Sequence, residues 1–148
     1  MSPQLSSGVI QIFSTDGAFA ALKENGSVIT WGNPGRAGDS SSVVGALSSG
    51  VSQVFSTEAA FAALKQDGSV VIWGDSDYGG DSSSVTTQLG SGVSRIFSTS
   101  RAFAALKQDG SVVTWGESDR GGDSSSVARQ LASGIVALAN PFTDDVLD

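Results

Sequence analysis

The chain contains no cysteine and no histidine. Without cysteine there is no disulfide framework and no thiolate chemistry. Without histidine the commonest general base and the commonest metal ligand are both missing. Positive charge is scarce: 8 Lys and Arg stand against 15 Asp and Glu, a formal net charge of −7. That balance lacks the clustered cations a phosphate backbone demands, so no nucleic-acid partner is expected. No apolar run approaches the roughly 18 residues of a spanning helix, so no membrane partner is expected either. Met1-Ser2-Pro3-Gln4-Leu5 has neither the basic nor the apolar region of a signal peptide. A cytoplasmic location is the expectation, although a cysteine-free chain suits any redox compartment.

Glycine, by contrast, is plentiful at 19 residues, nearly twice its usual share of about 7%. Dense turns and short loops follow. The dominant feature is repetition. Trp31-Gly32, Trp73-Gly74 and Trp115-Gly116 recur every 42 residues, and Phe19-Ala20-Ala21-Leu22-Lys23 returns in step at 61–65 and 103–107. A fixed period of this size marks a repeat architecture, in which a unit too small to bury its own apolar face leans on its neighbours. The frame gives one repeat domain over residues 1–148: the end of a partial unit at 1–8, repeats at 9–50, 51–92 and 93–134, an extra first strand at 135–139 and an acidic tail at 140–148.

Each unit reads mostly as strand. In the second, Val51-Ser52-Gln53-Val54-Phe55 is short and β-branched. Two apolar runs then flank Lys65-Gln66-Asp67-Gly68. Asp-Gly between such runs is a hairpin signal, because the turn needs positive φ and glycine supplies it. Gly26 and Gly110 stand at the same place. A three-stranded antiparallel meander per unit is predicted. Both alternating sets of Phe61-Ala62-Ala63-Leu64 are apolar, so the sheets should be covered on both faces, with small Ala beside large Phe and Trp letting them approach closely. Trp31, Trp73 and Trp115 are assigned to that packing. Residues 81–89 fit a short helix or a polar outer strand; Asp39, Asp81 and Asp123 would cap a helix there.

The run over residues 22–32 (LKENGSVITWG), repeated at 64–74 and 106–116, resembles the repeats of the regulator of chromosome condensation family. Those read Leu, two residues, Asp or Asn, Gly, one residue, Val, two residues, Trp-Gly, then a Gly-bearing loop. The resemblance implies a β-propeller blade from each unit; in that family blades have four strands and seven close a ring. Gly79-Gly80-Asp81 replaces the family's Gly-Gln-Leu-Gly, and the unit is shorter. No residue here corresponds to the nucleotide-exchange or histone-binding roles of some members. The expected fold is therefore mainly β: three tandem, propeller-blade-like meanders, each with a short helix or outer strand. Because three open blades would leave exposed sheet edges, they should close, either as a dimeric six-bladed ring or as a three-fold pseudo-symmetric single domain; the remaining reading, ranked below these, is a fragment of a longer array.

Copies differ most in their loops, where binding usually resides on a rigid scaffold. Arg36, Tyr78 and Arg120 occupy one equivalent place after Trp-Gly, and Glu58 and Arg101 lie between the first and second strands. Tyr and Arg are typical interface anchors. Carboxylates at Asp75, Asp77, Asp81, Asp119 and Asp123 alternate beside glycines, a spacing that could gather oxygens around a hard cation such as Ca²⁺; turn chemistry explains them equally. The recurring Lys23, Lys65 and Lys107 read as solvated edge charge. Serine has no histidine to activate it and no carboxylate pair stands out from the repeat, so neither an enzyme nor a cofactor is expected. The expected function is a non-enzymatic scaffold that binds a protein partner, or a second copy of itself as a homodimer, through its loops. The alternative is multivalent, lectin-like glycan binding.

Overall fold

A computed structural model describes residues 8–124 and residue 131. The partial unit at the start of the chain, most of the segment closing the third repeat, the extra strand at 135–139 and the tail at 140–148 lie outside them. Among the described residues nine strands form three separate sheets. The first contains β1 (Val9–Ser14), β2 (Ala18–Lys23) and β3 (Val28–Gly32); the second β4 (Val51–Ser56), β5 (Ala60–Lys65) and β6 (Val70–Gly74); the third β7 (Val93–Ser98), β8 (Ala102–Lys107) and β9 (Val112–Gly116). Each is an antiparallel meander with its middle strand in the centre. Phe and Trp are cross-strand partners in every sheet, at Phe19 and Trp31, Phe61 and Trp73, Phe103 and Trp115.

The hairpin between the second and third strands forms as its dipeptide demands. Gly68 has φ +84°. The Asp67 carboxylate closes the turn by accepting from the Ser69 N–H (3.0 Å) and hydroxyl (2.6 Å). Residues 81–89 form neither an α-helix nor an outer strand. They fold as single 3-10 turns, Ser83–Val85 and then Gln88–Gly90, preceded in the first repeat by Ser41–Val43. Asp81 does not cap a helix but accepts from the Ser83 N–H at 2.9 Å, and Asp39 from Ser41 likewise. A Ser- and Thr-rich stretch this short cannot offset the cost of nucleating an α-helix.

The core lies between sheets. Ala18, Ala20, Leu22, Val28, Ala37 and Leu47 of the first repeat pack on Val51, Val54, Phe61, Ala63 and Trp73 of the second. The second repeat packs in the same way on Val93, Ile96, Phe103, Ala105 and Trp115 of the third. Phe61, Ala62 and Ala63 are completely buried, as an apolar run covered on both faces requires. Trp73 and Trp115 are buried as expected, but Trp31, in the same register, is half-exposed. The recurring lysines are not solvated edge charges in every copy: Lys65 donates to the Ala46 carbonyl of the preceding repeat (2.7 Å) and Lys107 to that of Gln88 (2.6 Å). No helix among the described residues is long and apolar enough to cross a membrane.

Candidate functional site

The loop after each Trp-Gly makes one 3-10 turn: Pro34–Arg36, Ser76–Tyr78 and Ser118–Arg120. Asn33 and Asp75 cap their turns, accepting from the N–H of Gly35 (2.8 Å) and Asp77 (2.9 Å). Glu117, a methylene longer, makes no such cap. Each turn is fastened to the β1–β2-type loop of its own repeat at both ends. The N–H groups of Asn33, Asp75 and Glu117 donate to the carbonyls of Gly17, Ala59 and Arg101. The hydroxyls of Thr15, Thr57 and Thr99 donate at 2.7 Å to the carbonyls of Arg36, Tyr78 and Arg120. The variable side chains at 36, 78 and 120 therefore project from a backbone pinned in place. The sequence reading missed the three threonines, although Phe-Ser-Thr recurs with the 42-residue period.

Four of the five candidate loop residues meet at one place. Two guanidinium groups approach the Tyr78 ring, Arg36 at 5.5 Å from its centroid and Arg101 at 4.7 Å, distances at which a cation is attracted to the ring face. Arg101 also bonds Glu117 (3.2 Å) and approaches Glu58 (3.9 Å). The Arg101 pKa is raised from its ordinary value, most by Tyr78, with burial opposing next and Glu117 and Glu58 adding smaller support. Residues from all three repeats thus form one polar cluster. Tyr78 is half-buried within it and is not the freely exposed aromatic its loop position suggested, whereas Arg120 remains exposed. Beside the cluster is a cleft of about 280 Å³ between the second and third repeats, lined by Ser76, Asp77, Arg101, Gly116 and Glu117.

The acidic candidates do not assemble. Asp75 and Asp81 each accept from a backbone N–H two residues on. Among the described residues no group of three or more His, Cys, Asp or Glu side chains is placed to hold a metal ion.

No protein-family model matches the chain, and no curated protein matches it in sequence. Solved structures do match in shape. Human WBSCR16, an RCC1-like protein, superposes with a TM-score of 0.56 at 22% identity over 90% of this chain. Prp20p of Saccharomyces cerevisiae superposes with a TM-score of 0.52 at 20% identity over 77%. The chain has the RCC1-like repeat fold. Its three sheets are RCC1-like propeller blades, as the Trp-Gly frame implied, and they constitute a repeat scaffold. The chain spans 39% of the WBSCR16 structure's length and 32% of Prp20p's.

Proposed function

We propose that the chain is a non-enzymatic, protein-binding scaffold whose working surface is the edge formed by the loops after Trp-Gly. The observation that carries this reading is the pinned backbone at positions 36, 78 and 120. Three geometrically equivalent sites present Arg, Tyr and Arg, residue types suited to contact, while the threonines beneath them do not vary. A scaffold that holds its frame constant and changes its tips is built for recognition. The fold supports such work elsewhere: Prp20p was examined for its binding to Gsp1p and histones. Neither partner is assigned to this chain.

The test is affinity capture from the source cell with the native chain and with a variant carrying Arg36→Ala, Asp77→Ala and Arg120→Ala. The variant should keep the native circular dichroism spectrum and lose the captured proteins. An identical set of partners on both baits would remove the loop edge from the function.

A further inference from the structure

Charge is unevenly placed along the blades. In the loops between first and second strands (15–17, 57–59, 99–101) and the turns after Trp-Gly (33–37, 75–79, 117–121), six carboxylates stand against three guanidinium groups. In the hairpins at the opposite end of each sheet (23–27, 65–69, 107–111), three carboxylates are matched by three lysines. The loop edge is therefore acidic, and the cleft beside the Arg101 cluster is cut into it. Ser76 and Asp77 of the second repeat form one side of that cleft, and Arg101, Gly116 and Glu117 of the third form the other. Its volume, about 280 Å³, is below the roughly 300–1,000 Å³ of pockets that hold whole small molecules; it suits one extended side chain. The corresponding positions at the junction of the first and second repeats are Pro34, Gly35, Ala59, Gly74 and Asp75. Asp77 and Arg101 thus stand where the other junction has glycine and alanine, and both departures from the repeat fall on this one cleft.

The charge within the cleft is unbalanced. Glu117 bonds Arg101 at 3.2 Å and Glu58 approaches it at 3.9 Å, so the one guanidinium is already shared between two carboxylates. The Asp77 N–H is spent within its turn, but the exposed Asp77 carboxylate has no hydrogen-bond or ionic partner among the described residues. We infer that the cleft receives a cationic side chain, Lys or Arg, from the protein partner, and that Asp77 is the residue that pairs with it. Glu117 bonds Arg101 through Oε2, and its second oxygen offers the incoming cation another acceptor across the cleft. A guanidinium or ammonium group has donors enough for both. An anionic side chain would meet Asp77 at close range and find Arg101 already held. The cleft lies on the loop edge, and its assignment rests on that edge being the binding surface; what it adds is the chemistry of the partner.

The probes are N-acetylarginine amide and N-acetyllysine amide, titrated at low salt into the full chain and followed by amide NMR. They should move the signals of Asp77, Arg101, Gly116 and Glu117 saturably. Asp77→Asn should weaken this binding about fivefold, the upper end for an exposed ion pair. Asp119→Asn removes the corresponding carboxylate of the third repeat, which does not line the cleft, and should leave binding unchanged. No saturable shift with either cation, equal weakening by the two variants, or the same signals moving with acetate instead would each overturn the site. Affinity capture separates this site from the loop edge as a whole. Asp77→Asn alone should reduce the captured proteins; their loss from the triple variant with full retention on Asp77→Asn would remove the cleft and leave the edge standing.

Discussion

The indole N–H of Trp115 donates to the carbonyl oxygen of Gly79 at 3.1 Å, across the boundary between two blades. Gly79 ends its 3-10 turn with φ +97°, which turns that carbonyl toward the next blade. One residue thus closes a loop of its own repeat and receives the tryptophan of its neighbour. Ala37 does the same for Trp73, despite a positive φ of 79° that glycine would adopt more easily.

The tryptophans should therefore not be equivalent. Trp73→Ala and Trp115→Ala each remove a buried ring and should cost about 3–5 kcal/mol. Trp73→Phe and Trp115→Phe should cost less, yet leave a buried carbonyl without its donor, at about 1–3 kcal/mol. Trp31→Ala, at a ring only partly buried, should cost clearly less than its counterparts. Urea unfolding followed by circular dichroism ranks them. Equal losses at all three would mean that insertion between sheets is not what holds the blades together.

Gly68 tests the junction between repeats. A Cβ there would lie 2.8 Å from the Gly92 backbone nitrogen, at φ +84°. Gly68→Ala adds a left-handed penalty of about 1–2 kcal/mol to a clash with rigid backbone, and a total loss of about 2 kcal/mol or more is expected. Gly45→Ala has open space around it and an unstrained φ, so its melting temperature should stay close to native. A Gly68→Ala variant that melts with the native chain would mean the blades can shift apart at no cost.

Thr57 is buried and fully engaged. It donates to the Tyr78 carbonyl and accepts from the Ala60 N–H at 3.1 Å. Thr57→Val keeps the shape and strands both groups, for an expected loss of about 1–3 kcal/mol. Thr99 makes the same two bonds at an exposed site, where water replaces the lost partner, so Thr99→Val should be nearly silent. Chemical denaturation of the pair decides whether burial sets the difference.

Acid should loosen two hairpins and spare the third. The Asp67 pKa is lowered below its ordinary 3.8, first by the Ser69 hydroxyl and then by the Ser69 N–H; Ser111 does the same for Asp109. A carboxylate whose folded pKa is depressed contributes its stabilisation above the unfolded value and loses it as pH falls through the folded one. The second and third hairpins should therefore weaken only below about pH 3.8. Asn25 makes the same contacts to Ser27 without a titrating proton, and its hairpin should not respond. Ser69→Ala should raise the Asp67 pKa in a side-chain NMR titration. An unchanged Asp67 would show that the hydroxyl contact does not persist in solution.

Where the argument was local or periodic, the chain could be read directly. Asp67-Gly68 announces its turn because no distant residue is needed to make one. Phe61 and Trp73 announce burial because their register recurs. The stretch from Ser82 was harder: capping residues and an i, i+4 apolar pair suggest a helix, and only the observed backbone shows that each turn stops after three residues. The loop cluster gave no local sign. Arg36, Tyr78 and Arg101 come from three different repeats, and nothing in the spacing says that two guanidinium groups will meet on one ring.

The 42-residue period by itself determined how many meanders there are, where they turn and which side chains face a neighbour, because those properties follow from backbone preference and alternation within each unit. Only the tertiary structure decided which of three identical-looking positions has a neighbour to face. Phe19 and Phe61 share a sequence context, yet one lies open and the other is sealed. The difference is the presence of an adjoining sheet, and burial is a property of what stands next to a residue rather than of the residue itself.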